Sequence, residues 1–388
     1  MSTTMPPPTE EQRQIRALAR EFADAELRPH VERWDREREL DPAVLDHIAE
    51  LGFLGMLVPE AYGGLGFDLP TYLGVLEELA RGEPVVALLL SIHSAFGARL
   101  LLRHGSDAQK ERWLRDMANG DVRACFALSE AEAGSDAAAL RTRARRVDDG
   151  WVLHGTKKWV TGGRDAGLGI VAARTDPETD PQGARGIGLF LVPTNTAGWT
   201  VGAREDTMGL RAAEIVSVHL EELRVGDDAL LGDPARGFAY AMEGLDTGRL
   251  GIAAQAIGIA RTALEHALRY AAEREQFDAP LRAFEGMQFK LADMATRIEA
   301  AAALLASVAT SHTPGRAAMA KLFASEAAMW VSNQAVQVFG GYGFMRDYPV
   351  EKLMRDAKAT EIYEGTNEIQ RIVIARELYG GAGRAGER

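Results

Sequence analysis

Glu364 stands between Tyr363 and Gly365 in the run TEIYEGTNEIQRIVIA, Thr360 to Ala375. A carboxylate beside an aromatic ring suits a general base that removes a proton next to a carbonyl, and the following glycine lets a backbone approach and leaves N–H groups free for a ligand oxygen. The element that must hold this loop is the helix behind it. Ile369, Ile372, Val373 and Leu378 recur mostly at three- and four-residue spacing and predict one buried stripe. Thr366 reads as its N-cap, so Glu364 and Gly365 lie in the loop that enters the helix. Taken alone, the segment fits a solvated loop carboxylate equally well, and the upstream residues decide between the two.

Two stretches upstream carry chemistry of another kind. Cys125-Phe126-Ala127-Leu128-Ser129 reads as a strand ending in a hydroxyl, followed by the loop Glu130 to Asp136, and a second strand end carries Lys158-Trp159-Val160-Thr161. Apolar side chains with a hydroxyl at the tip can flank a flat heteroaromatic ring and hydrogen-bond its edge. Each residue has a plainer reading, Trp159 as a core aromatic and Ser129 and Thr161 as strand-end hydroxyls. Together with the Glu364 loop they point to a flavin site. Other chemistries lack their motifs: the eight His residues never form H-E-x-x-H, and Cys125 is the only cysteine, which disfavours a metal site. There is no G-x-S-x-G elbow, no Rossmann G-x-G-x-x-G after a strand and no Walker A loop, so a nucleotide cofactor needs another architecture.

The 388 residues predict two or three domains. Lys plus Arg number 44 against 56 Asp plus Glu, a formal charge of -12 that disfavours nucleic acid or an anionic membrane as the main partner. A single cysteine allows no intrachain disulfide and fits a reducing compartment. The start, MSTTMPPPTEE, has no basic region followed by an apolar core, and no later run is expected to approach the ~18 apolar residues of a membrane span. A cytoplasmic protein is expected. Texture divides the chain into a helical part over 1–122, a β part over 123–235 and a second helical part over 236–388.

In the first part Thr9 to Gln12 forms a capping box ahead of Ile15, Leu18, Phe22 and Ala25, and Asp41-Pro42 starts a helix carrying Val44, Leu45, Ile48 and Leu51 that stops at Gly52. In the middle, short runs at 125–128, 150–160, 169–173, 186–192, 200–203 and 215–220 are separated by Gly, Pro and Asp, as in strands joined by turns. In the last part Met287, Leu291, Met294, Ile298, Ala301, Leu305 and Val308 alternate steps of four and three, a seam that packs inside a helical bundle. A break at Thr313-Pro314-Gly315 precedes another helix to Phe339, which stops at Gly340-Gly341.

Along almost its whole length the chain resembles the acyl-CoA dehydrogenase family. Six separated motifs carry the likeness in order: VPEAYGGLGFD, ACFALSEAEAGSD, KKWVTGG, LDTGRLGIAAQAIGIARTALEHALRYAAEREQF, QAVQVFGGYGF and TEIYEGTNEIQRIVIA. The resemblance implies an α+β multidomain fold: an N-terminal helical domain, a barrel-like middle β-sheet domain and a C-terminal four-helix bundle. It also implies a homotetramer, a dimer of dimers, with non-covalent FAD between subunits. Glu364 would take the pro-R α-proton of an acyl thioester while hydride leaves the β-carbon for flavin N5, with electrons passed to an electron-transferring flavoprotein.

The family's site residues fall on matching positions of this chain. Phe126, Leu128 and Ser129 match the strand that lines the flavin; Trp159 and Thr161 match the pair that flanks its ring. Ser135 falls where the family meets the pantetheine arm of CoA, while Asp246 and Arg249, like Gly365, match positions beside the acyl thioester. Read without the family, Arg249 is as well a helix-surface ion pair. Arg274, Phe277 and Gln288 match residues that reach the FAD of a neighbouring subunit, Gln337, Gly340 and Gly341 its adenine end, and Thr366 and Glu368 the last FAD contacts after the base. The backbone N–H of Glu364 and a ribityl hydroxyl would hold the thioester oxygen. A base near neutrality works best when burial lifts it from about 4.3 toward ~6 to 7, a lift expected on substrate binding.

Two departures stand out: Ala131-Glu132 where Pro-Gly is usual, placing a negative charge near the expected CoA entrance, and Asp278-Ala279 where Gly-Lys is common. Gly248 excludes the base location of the isovaleryl type, and LDTGR with IYEGTNEIQRIVIA looks most like the short-chain, butyryl type. The sequence leaves open a branched or carrier-protein-bound acyl thioester, an oxidase, and a flavin-binding relative without turnover.

Overall fold

The computed structural model describes residues 9–175 and 183–380, so the Pro-rich start before Thr9 lies outside the described residues. Helix α1 (Glu10–Phe22) starts on the expected capping box: the Thr9 hydroxyl accepts from Gln12 N and the Gln12 side chain accepts from Thr9 N. Its predicted face is corrected. Ala19 and Phe22 are buried, but Leu18 and Ala25 are exposed: the inner face runs through Ala19, and a π-turn over Ala23–Leu27 then adds a residue and carries the stripe onto Ala23 and Leu27.

Helix α2 (Val31–Glu37) follows, and then α3 (Pro42–Glu50) begins as expected on Asp41, whose carboxylate accepts from Ala43 N. α4 (Leu69–Gly82), α5 (Pro84–Ile92), α6 (Arg99–His104) and α7 (Asp107–Asn119) complete the N-terminal domain. The expectation that no run approaches a membrane span is also corrected. The continuous helical stretch Pro84–His104 is long and apolar enough to cross a membrane, with mean hydropathy 1.9, but 78% of that apolar window is buried inside the protein. It is a core helix that the other domains surround.

The middle domain is a curled sheet of seven strands: β1 (Ala124–Ala127), β2 (Arg143–Val147), β3 (Gly150–Thr161), β4 (Leu168–Arg174), β5 (Ile187–Pro193), β6 (Trp199–Arg204) and β7 (Ile215–Val225). The order is β1-β4-β2-β3-β7-β6, with β5 antiparallel on β4 and β1 parallel to β4. β4 and β5 are buried on both faces, which explains their unbroken apolar runs. Ile170 and Leu189 face the helices, while Val171 and Phe190 face the sheet's own core with Val218 and Leu223. Sequence reading missed β2, because RARRV buries only Ala144 and carries three arginines.

The C-terminal domain is built on α8 (Gly237–Glu273), a 37-residue helix that packs against α4, α5 and every later long helix. A two-stranded hairpin, β8 (Glu275–Gln276) and β9 (Ala279–Pro280), leads to α9 (Glu285–Ala309), α10 (Pro314–Phe339), α11 (Val350–Thr360) and α12 (Asn367–Leu378). The predicted seam of α9 is the buried one, from Leu291 through Val308, with Met287 packed at its edge. Small residues let α8 sit deep: a Cβ at Gly258 would lie 2.5 Å from the Glu77 carbonyl oxygen.

Ionic clasps tie the parts together. The fully buried carboxylates of Glu83 and Asp356 both accept from Lys352, at 3.1 Å and 2.7 Å, and Asp356 also accepts from Leu210 N at 2.6 Å. Burial works against the Lys352 ammonium, but Asp356 and Glu83 hold it above its ordinary range. Replacing Lys352 by Met leaves two carboxylates uncompensated, an expected loss of about 3 to 5 kcal/mol. Urea denaturation of the variant beside its parent measures it, and an unchanged midpoint contradicts the clasp.

Candidate active site

Helix α11 ends at Thr360 and α12 begins at Asn367, so Glu364 lies in a six-residue connection. Thr366 is the N-cap as expected, its hydroxyl accepting from Ile369 N. The backbone there is strained: Glu364 has φ 52 and Gly365 φ 91, both left-handed, and only glycine adopts that region without cost. Two buried side chains hold it. Gln370 Nε2 donates to the carbonyls of Glu364 and Gly365 at 3.2 Å and 2.7 Å, and Lys321 Nζ, from α10, donates to the Gly365 carbonyl at 2.9 Å and to Asn367 Oδ1 at 3.0 Å.

These contacts correct the expected stripe of α12. Asn367 and Gln370 are its buried residues, while Ile372 and Leu378 are 44% and 73% exposed. The inner face of α12 is spent on hydrogen bonds to the loop, which an apolar stripe could not make.

The Glu364 backbone is partly open, but both carboxylate oxygens are sealed from solvent and accept no hydrogen bond from any described group. Burial pushes the carboxyl up to about 8, with Arg249 and then Lys321 pulling the other way. The lift expected on substrate binding is therefore already present in the free chain. Arg249 is no surface residue: it is 5% exposed, and its Nη1 donates to Asp246 at 2.7 Å. One residue before it, a Cβ on Gly248 would lie 2.1 Å from Glu364 Oε2, so the Glu364 side chain fits only because position 248 has none.

Packing links the strand ends to α8. Phe126 stacks on Phe96 at 4.3 Å, and Phe96 in turn packs against Gly244, one turn before Gly248 on α8. Trp159 sits in a bulge of β3 between Lys157 and Val160, with φ 57, which swings its ring out of the sheet and leaves it 53% exposed. Thr161 and Ser129 are half-buried at the neighbouring strand ends, and Leu128 is buried below them. An open indole shelf bounded by two hydroxyls fits one face of an isoalloxazine ring.

A buried pair unseen in the sequence fixes this shelf. Lys157 Nζ donates to Glu130 at 2.8 Å and to the Leu128 carbonyl at 2.9 Å, while Lys158 N donates to the Ser129 carbonyl at 2.9 Å. Burial pushes the Lys157 ammonium down to about 8. Ser135 is exposed on the loop beyond. The unusual Glu132 forms a 2.8 Å ion pair with Arg141, which neutralises the charge it adds.

The remaining predicted residues form a second group. Arg274 lies over the Tyr342 ring at 5.7 Å, beside the turn that holds Gly340 and Gly341, and Gln337 is exposed in the last turn of α10. Phe277 and Asp278, at φ 54 and 58, are the two central residues of the β8–β9 turn, which leaves Phe277 92% exposed. Gln288 is exposed and donates to the Arg282 carbonyl at 3.0 Å. Helical rise puts Gln337 roughly 24 Å along α10 from Lys321, so within one chain this group does not join Glu364. Glu368 is exposed in the first turn of α12, next to the loop.

Helices, a curled sheet and further helices, holding a shielded carboxylate and an open aromatic shelf, are the architecture of a flavin-dependent oxidoreductase. The chain belongs to the acyl-CoA dehydrogenase family: residues 9–121, 125–223 and 235–379 match the family models for its N-terminal, middle and C-terminal domains. It is 44% identical over 370 residues to the mitochondrial short-chain specific acyl-CoA dehydrogenase of Rattus norvegicus, covering 94% of this chain and 89% of that one. The butyryl-CoA dehydrogenase of Megasphaera elsdenii superposes with a TM-score of 0.94 at 39% identity, over 97% and 100% of the two chains. A chain solved in work on the electron transferring flavoprotein of Acidaminococcus fermentans is 41% identical, with a TM-score of 0.93 over 97% and 99%.

The raised Glu364 carboxyl has a thermodynamic signature. Between its ordinary value of 4.5 and about 8 the folded chain keeps a proton that the unfolded chain has lost, so this residue's contribution to stability falls as pH rises through that window. Glu364→Gln removes the dependence: the variant and its parent are expected to unfold alike near about pH 4, and the variant to be the more stable near about pH 8.5. Denaturant midpoints at the two pH values test this.

Proposed function

We propose that the chain oxidises a short acyl-CoA to its trans-2-enoyl-CoA with Glu364 as the base, and that it passes the electrons to an electron-transferring flavoprotein. The observation that carries this reading is the sealed, unpartnered carboxylate of Glu364, which once ionised has no donor in the chain to satisfy it and so takes up a proton readily. Among the described residues its backbone N–H donates to no carbonyl, which leaves it for the thioester oxygen as that atom gains enolate charge. Arg249 favours the ionised base, and Asp246 keeps that guanidinium oriented. Bound FAD supplies the acceptor for the β-hydride. Trp159, Thr161, Ser129, Leu128 and Phe126 would hold its ring, Thr366 and Glu368 border it beyond the base, and Ser135 lies toward the pantetheine arm.

A short acyl chain is supported by the likeness to the short-chain and butyryl-CoA dehydrogenases. Tyr363 donates its phenol to Gln255, and the Gln255 amide donates to the Pro84 carbonyl at 2.7 Å. Gln255 is seven residues along α8 from Gly248, so this bridge ties the loop to the core helix about two helical turns from the carboxylate. Assembly as a homotetramer supplies the rest: Arg274, Phe277, Gln288, Gln337, Gly340 and Gly341 would meet the FAD of a neighbouring subunit. The exposed Phe277, Phe344, Leu378 and Tyr379 are the apolar surface such an assembly covers.

A panel of acyl-CoAs of increasing length, mixed anaerobically with the FAD-loaded protein, tests the reading. Flavin bleaching is expected fastest at about four carbons, with recovery on adding electron-transferring flavoprotein and little recovery in air. Glu364→Gln is expected to keep FAD and lose about 100- to 10,000-fold in α-proton exchange, and wild-type exchange would remove the base assignment. In the parent, kcat/KM is expected to rise with pH through about 8 as the carboxyl ionises.

A further inference from the structure

Lys321 is the one buried cation on the inner face of α10, among Ala317, Ala318, Ala320 and Ala324, and it is completely enclosed. Its stem could have been replaced by any apolar side chain of that length. Its ammonium does something specific: it donates to the carbonyl of Gly365, the residue that follows the base, and to Asn367 Oδ1, which also accepts from Ser325 at 3.1 Å. The Gly365 carbonyl is thus shared between Lys321 and Gln370, the second clamp on the left-handed turn at Glu364. Among the described residues the hydrogen bonds of Lys321 go to a carbonyl and an amide oxygen and none to a carboxylate, so a buried positive charge is left to act over a longer range.

We propose that Lys321 is a positioning residue for the base: its ammonium, held between the Gly365 carbonyl and Asn367, fixes the Glu364–Gly365 turn and with it the seat of the carboxylate. The proposal rests on Glu364 being the base. The charged groups around the pair are few. Glu364 is met by Arg249 from α8 and Lys321 from α10, with the neutral phenols of Tyr72 and Tyr363 beside it. Lys321 is met by Glu364, Arg249, Glu361 and Glu368. Arg249 is occupied by Asp246, and Glu361 by Lys358, so Lys321 is the cation near Glu364 with no acid of its own. Burial pushes Lys321 down to about 8, close to the value of Glu364, so both groups titrate in the same range.

Two substitutions separate the roles. Lys321→Met removes charge and hydrogen bonds, and Lys321→Arg keeps the charge on a different donor geometry. In the FAD-loaded protein, the rising limb of kcat/KM against pH is expected to move up by about one pH unit in Lys321→Met and to stay near the parent's in Lys321→Arg. Amide hydrogen exchange over residues 361–366, which needs no turnover, is expected to speed up at least about tenfold in Lys321→Met. A Lys321→Met protein whose pH profile and loop exchange both overlay the parent's overturns the proposal, as does an equal shift in both variants. If Glu364→Gln keeps full activity while loop exchange still responds to Lys321→Met, the base assignment fails and the clamp on the turn stands.

Discussion

An acid with no hydrogen-bond donor, walled off from water, is the constraint to which the rest of this chain answers. A buried carboxyl in that state is costly, and it stays neutral until something in the site favours its charge. Around Glu364 the chain supplies that influence sparingly: one guanidinium already committed to Asp246, one ammonium held by carbonyl and amide oxygens, and no donor aimed at the carboxylate itself. The result is a group poised between its two protonation states. A direct ion pair would have fixed it as a permanent anion, which is a poor base.

Holding such a group takes architecture from every part of the chain. The core helix through Pro84–His104, the glycine-lined face of α8 and the inner face of α10 each bring something to the loop. The middle domain brings the indole shelf, and its shape depends on Lys157 and Glu130, buried beside a bulge that turns Trp159 outward. The ionic clasp of Glu83, Lys352 and Asp356 then fixes α11, and with it the approach of the chain to Glu364.

Much of this was legible in the sequence, for identifiable reasons. Caps at Thr9, Asp41 and Thr366 are local chemistry, and local chemistry survives folding. The seam of α9 was readable because one face of it is buried along its length. Periodicity failed where burial serves polar work or where the helix changes pitch: α12 buries Asn367 and Gln370, and the π-turn after α1 shifts the register by a residue. β2 escaped because three arginines hide a single inward alanine. Lys321, Lys157 and Gln370 were invisible for a different reason. A lysine in an alanine-rich helix reads as a solvated residue, and only the fold shows that its ammonium ends on a carbonyl.

Gly248 and Glu364 occupy one volume from two directions, since the smallest possible side chain on the first would collide with the second. The two positions are therefore alternative seats for a single acid. A glutamate acquired at 248 while 364 kept its own would press two carboxyls together, and they would share one proton rather than act separately. Transfer of the acid from one seat to the other has no viable halfway form by that route, because vacating 364 must accompany filling 248. The geometry around one glycine thus decides the direction of approach, and in this chain the acid arrives from the loop.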